Sequence, residues 1–140
     1  MINQPILIVE DDKDDRELIQ SALLDIGVQN EQKCFPNGLA ALEYLKTTPQ
    51  KPFLIISDIN MPLLDGFALK KHINSIPDLD KQAIPFVLVT TSKSEEHIDS
   101  AYQLSVQGFF SKPDDYKVWM EILKKVIDYW LIAKTPTRPE

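Results

Sequence analysis

The sequence predicts an α/β fold, a parallel sheet covered by helices on both faces, and three observations carry that prediction. Short apolar runs recur at residues 5–9, 53–57 and 85–90, as in strands buried on both sides. Between them the apolar residues change to helical spacing, as with Leu18, Ile19, Ala22, Leu23 and Ile26. The two patterns alternate along the chain, which is the order that builds βαβ units. The 140 residues make about one domain, long enough to bury a core.

Residues 5–9 form the first strand, and a helix over 13–26 ends at Gly27. Residues 28–35 are a weaker, more polar strand, expected near a sheet edge. Asn37 caps a helix carrying Leu39, Leu42 and Leu45, which stops before Pro49. After the strand at 53–57, Asp65 caps a helix over 66–75. The strand PFVLVT, 85–90, leads to Ser92 and Glu95, the spacing of a capping box, before a helix bearing Ile98, Ala101 and Tyr102. GFFS, 108–111, is the fifth strand. The last helix, about 116–132, carries Trp119, Ile122, Leu123, Val126, Ile127 and Trp130 at helical spacing. The ending TPTRPE contains two prolines and reads as extended. Five strands alternating with five helices predict a flavodoxin-like (βα)5 doubly wound sheet of order 2-1-3-4-5. Residues 1–140 read as one domain, with a core over about 4–132 and a tail over 133–140.

The net charge of −6 argues against a nucleic-acid surface, which needs a basic stripe. No apolar run approaches the roughly 20 residues of a membrane span. The start, MINQPILIVEDD, lacks the basic region of a signal peptide. Cys34 is the only cysteine, so no internal disulfide forms. These features fit a cytoplasmic protein.

Functional groups in open α/β sheets gather beyond the C-terminal ends of the strands. Those ends carry Glu10, Asp11 and Asp12, then Asp58, then Thr90, Thr91 and Ser92, then Lys112. With the first and third strands adjacent, Asp11 and Asp58 face each other across a small cleft. Carboxylates that close resist ionisation unless a cation joins them. An all-oxygen set without histidine or thiolate points to Mg²⁺ or Mn²⁺ rather than zinc. Any one of these acids alone could be a turn or cap residue. The signal is their coincidence with a hydroxyl and a lysine at one end of successive strands.

The stretches IVEDD, SDINMPLLDG, VTTS and SKP, in that order, resemble the receiver domain of two-component response regulators over about residues 4–132. The resemblance implies that a sensor histidine kinase phosphorylates Asp58, the residue ending the third strand. It implies Asp11 as the direct Mg²⁺ ligand, Glu10 acting through water, and a backbone carbonyl from Asn60. Thr90 becomes the switch hydroxyl and Lys112 the cation at the phosphoryl group. Lys112–Pro113 is similar to the family's cis peptide. No enzymatic activity is implied beyond the domain's own phosphorylation and dephosphorylation.

Some positions depart from the family pattern. Phe109 stands at the aromatic switch position without a hydroxyl, and Asp114 and Asp115 follow Lys112–Pro113 where an apolar residue is common. Asp12 reads as a helix cap, Asp115 and Asp114 as residues serving the last helix, His72 as a surface residue, and Trp119 as core. With no output domain after residue 140, action through an unidentified downstream protein is expected. The ending IDYWLIAKTPTRPE, with TTSKSEEHI, resembles the small stand-alone regulators paired with bacterial phytochrome kinases. Tyr129, Trp130 and Leu131 put more apolar surface on the helix end than a monomer needs, which suggests a homodimer.

Rival readings stand beside this one. A haloacid-dehalogenase-type phosphatase also uses a strand-end Asp and Mg²⁺, but needs a second Asp where Asn60 stands. A flavodoxin needs a phosphate loop where EDDKDD would repel a phosphate. A receiver that binds partners without phosphorylation is the third.

Overall fold

The computed structural model describes residues 3–136. Strands β1 (Ile6–Val9), β2 (Gln32–Phe35), β3 (Leu54–Ser57), β4 (Phe86–Thr90) and β5 (Gly108–Ser111) form one sheet of order β2-β1-β3-β4-β5. Every neighbouring pair is parallel. The helices are α1 (Lys13–Asp25), α2 (Gly38–Thr47), α3 (Gly66–Ser75), α4 (Pro77–Asp80), α5 (Glu95–Gln103) and α6 (Tyr116–Ile132).

Alternation along the strands divides the core into two layers, because successive side chains point to opposite faces. Leu7, Val9, Ile55, Phe86 and Leu88 pack with Leu42, Leu69, Ile73 and Ala101 from α2, α3 and α5. Ile6, Ile8, Leu54, Ile56 and Val87 pack with Ile19, Leu23, Trp119, Leu123 and Ile127 from α1 and α6. Trp119, at 2% exposure, is a core residue.

The structure differs from the sequence expectations at several places. The one-turn α4 was not expected; Pro77 starts it and Leu79 reaches the core, a segment too short to show a helical period. Strand β2 begins at Gln32 rather than 28, because its first residue pairs with Ile6, where β1 begins. Upstream of it, Glu31 O still accepts from Ile6 N at 2.9 Å, and the Asn30 amide donates to Gln4 O before β1 begins. Helix α5 starts at Glu95 with Ser94 as its cap, not with a Ser92–Glu95 box, since the Ser92 hydroxyl is engaged with the His97 ring. Leu39 and Tyr102 are exposed rather than core-facing. The expected caps Asn37 and Asp65 are in place. The extended ending can be followed only to Pro136; residues 137–140 lie outside the described ones.

Candidate functional site

The site lies at the C-terminal ends of β1, β3, β4 and β5. Strand β1 runs straight into Glu10, whose N–H donates to Phe35 O of β2, and Asp58 N donates to Val9 O across the β1–β3 pair. These bonds set the two acids side by side. Asp58 Oδ1 accepts from Ile59 N at 2.7 Å, and its Oδ2 accepts from Lys112 Nζ at 3.0 Å. The turn behind it is tight: a Cβ on Gly66 would lie 2.2 Å from Asp58 O, so only glycine lets α3 start this close to the acid.

Glu10, Asp11 and Asp58 each offer one carboxylate oxygen, and these oxygens all lie within 4.8 Å of one another. Glu10 and Asp58 are buried, whereas Asp11 is exposed and open to water. Burial pushes the Glu10 carboxyl up to about 7, with Asp58's charge adding to the rise and Lys112 opposing it. Such a crowded, all-oxygen set fits a hard divalent cation that keeps part of its water shell. Asn60 is exposed two residues beyond Asp58. Asp12 serves as the cap of α1, its Oδ1 accepting from Asp14 N and Asp15 N. Asp115 caps α6 in the same manner, accepting from Lys117 N.

Lys112 reaches the acids from β5. Its N–H donates to Thr90 O at 2.8 Å, which extends the β4–β5 pairing one residue past Ser111. The expected cis bond at Lys112–Pro113 is absent, as no cis peptide occurs among the described residues. The backbone bond to Thr90 already places the lysine at the strand end, and its four-carbon stem spans the rest. The ammonium lies 2.7 Å from Asp15 Oδ2, 2.8 Å from Glu10 Oε1 and 3.0 Å from Asp58 Oδ2. Burial opposes its charge, but the bonds to Asp15, Glu10 and Asp58 outweigh that and hold it above the ordinary lysine value.

Thr90 is fully buried at the end of β4, and its hydroxyl oxygen accepts from Ser92 N at 3.3 Å. Ser92 Oγ is 2.6 Å from His97 Nδ1, and the His97 ring meets Phe67 of α3 edge-on at 5.5 Å. Phe109 is half-buried against the first core layer, and His72 is exposed on α3. Sequence reasoning assigned no role to Asp15 or His97. Asp15 lies in the first turn of α1, where an acid ordinarily serves the helix N-terminus, so its place in the sequence did not mark the contact with Lys112. Nothing in the pattern marked His97.

The model of the response regulator receiver domain matches residues 6–124. The chain belongs to that family. Response regulator Rcp1 of Synechocystis sp. is 32% identical to this receiver domain over 135 residues, covering 93% of this chain and 90% of that protein. The crystal structure of the phosphorylated cyanobacterial phytochrome response regulator RcpA matches this receiver with a TM-score of 0.86 at 33% identity, covering 96% of this chain and 99% of that one. The Mn²⁺-bound form of Rcp1 matches with a TM-score of 0.83 at 31% identity, over 96% of this chain and 99% of that one. As a receiver domain the protein is a signalling module that takes its phosphoryl group from a histidine kinase. Membership removes the phosphatase and flavodoxin readings.

Proposed function

We propose that the chain is a stand-alone response regulator in which Asp58 accepts the phosphoryl group and the altered site changes partner binding. The observation that carries this reading is the Asp58 carboxylate, oriented by Ile59 N and Lys112 Nζ beside the acids of Glu10 and Asp11. A single-domain role is supported by the 90% of Rcp1 and 99% of the RcpA chain that the alignments span. Asp58 attacks the phosphorus of a phosphohistidine or small acyl phosphate; the new P–O bond forms as the bond to the leaving group breaks. Asp11, Asp58 and the Asn60 carbonyl would hold Mg²⁺, with Glu10 contributing through water. Bound there, Mg²⁺ would supply neutralisation of the charge that builds on the phosphoryl oxygens. Lys112 donates to one phosphoryl oxygen and the Thr90 hydroxyl to another. Movement of Thr90 draws in Ser92, and through His97 it reaches α5 and Phe67, a route that needs no hydroxyl on Phe109.

Incubation with Mg²⁺ and acetyl phosphate is expected to add one phosphoryl group, read by intact mass, and chelation to prevent it. A chain that stays unlabelled with Mg²⁺ present would overturn the reading. Thr90→Ala is expected to be labelled yet to give no phosphorylation-dependent change in partner binding. Lys112→Ala leaves Glu10, Asp15 and Asp58 without their shared ammonium and is expected to respond poorly even when phosphorylated. Normal signalling by both variants would place the switch elsewhere.

The kinase partner is proposed to be phytochrome-like, as RcpA is a phytochrome response regulator. The protein is proposed to act in the cytoplasm without direct nucleic-acid or membrane contact; no helix among the described residues is long and apolar enough to cross a membrane. A homodimer through the end of α6 is supported by Tyr129 and Leu131, 61% and 49% exposed. They flank Trp130, which is half-buried on the second core layer and lines a groove of about 320 Å³ with Phe110 and Val126. Sedimentation should show a dimer for the wild type and a monomer for Tyr129→Ala/Leu131→Ala, whose truncated side chains lie outside the core. A wild type that is monomeric with and without phosphorylation removes the dimer.

A further inference from the structure

A lysine ammonium has three N–H donors, and three carboxylates surround the one on Lys112. Two of them, Glu10 and Asp58, belong with Asp11 to the cation-binding set. The third, Asp15, stands outside that set and is the nearest, at 2.7 Å. Metal and phosphoryl group both draw on the first two, so Asp15 is the partner of the lysine that neither event engages. Its position is built locally. Asp12 caps α1 through Asp14 N and Asp15 N, which fixes the backbone that carries the Asp15 carboxylate. Asp12 and Asp14 are exposed, whereas Asp15 turns inward with its side chain 26% exposed, against a lysine whose side chain is 8% exposed. A charge-assisted bond so sheltered holds its geometry far better than a surface pair.

We propose that Asp15 is a positioning residue for phosphoryl transfer, holding the Lys112 ammonium where the phosphoryl oxygen arrives. The inference rests on Asp58 being the phosphoacceptor. A lysine tethered on one side meets the phosphoryl group without searching its rotamers. The same carboxylate, partly exposed, adds negative charge beside that ammonium, which opposes the approach of an anionic phosphodonor. Asp15 therefore raises the maximal rate and weakens donor binding at once. An ion pair that only tied α1 to β5 would alter stability and leave both rate constants alone.

The test measures Asp58 labelling against acetyl phosphate concentration at saturating Mg²⁺. Asp15→Ala should lower the maximal rate about tenfold and also lower the half-saturating donor concentration. Asp15→Asn keeps an oxygen for the ammonium and should recover the maximal rate to within about twofold, with the tighter donor binding retained. In a Lys112→Ala background, adding Asp15→Ala should change the maximal rate by less than about twofold. An unchanged maximal rate in a folded Asp15→Ala, or the same loss with and without Lys112, overturns the proposal. Should Asp15→Ala fail to fold, Asp15→Ser takes its place under the same criteria. A wild type that does not label contradicts the phosphoacceptor reading itself, whereas a labelled wild type with an unaffected variant contradicts only the role of Asp15.

Discussion

Asp58→Asn is expected to abolish phosphorylation, with labelling by acetyl phosphate and Mg²⁺ falling by at least about 100-fold, because an amide is no nucleophile toward phosphorus. The substitution preserves shape, so the loss would be chemical rather than structural. The asparagine oxygen can still accept from Ile59 N, as Asp58 Oδ1 does at 2.7 Å. Its amide nitrogen then faces Lys112 Nζ, where Asp58 Oδ2 now lies at 3.0 Å, placing donor against donor. Lys112 keeps Asp15 and Glu10 in that case. Intact-mass measurement and peptide mapping decide the matter. Label that persists in the variant, or that maps to the exposed His72, would end the mechanism.

Asp11→Ala is expected to weaken Mg²⁺ binding on the order of 10- to 100-fold, since it removes one carboxylate of three from a site whose affinity depends on ligand charge. Asp11 is exposed, so folding stability should move by no more than about 0.5 kcal/mol. Glu10→Gln should have the smaller effect on metal affinity if Glu10 contributes through water as proposed, and burial already pushes its carboxyl up to about 7. Calorimetric titration with Mg²⁺ separates the three proteins. Equal affinity in wild type and Asp11→Ala would take Asp11 out of the ligand set. Acetyl phosphate labelling of Asp11→Ala at rising Mg²⁺ should recover toward the wild-type rate if only affinity has changed.

Most of the fold could be read from the chain because its signals are local. The runs at 53–57 and 85–90 are apolar up to their closing Ser57 and Thr90, as a strand covered on both faces requires, and both are strands apart from their first residue. Asn37 and Asp65 cap their helices because a short polar side chain can reach the free N–H groups of its own first turn. The errors also have local causes. One turn at Pro77–Asp80 is too short to display a period, and Ser92 matched a capping box while its hydroxyl had another use. The carboxylates gather at one end of the sheet because parallel strands must all present the same end there.

What the sequence by itself determined is the alternation of elements, the helix caps, and the placing of Glu10, Asp11, Asp58, Thr90 and Lys112 at or just past their strands' C-terminal ends. Each follows from residues close together in the chain. Tertiary structure alone decided which of those groups touch. Lys112 meets Asp15 across 97 positions and Asp58 across 54. The His97 ring lies against Phe67 of a different helix, and Trp130 is half-covered while Tyr129 and Leu131 on either side stay open to solvent. The physical reason is that periodicity specifies which face of an element is buried, whereas a contact between two side chains depends on how the elements pack and where each stem can reach.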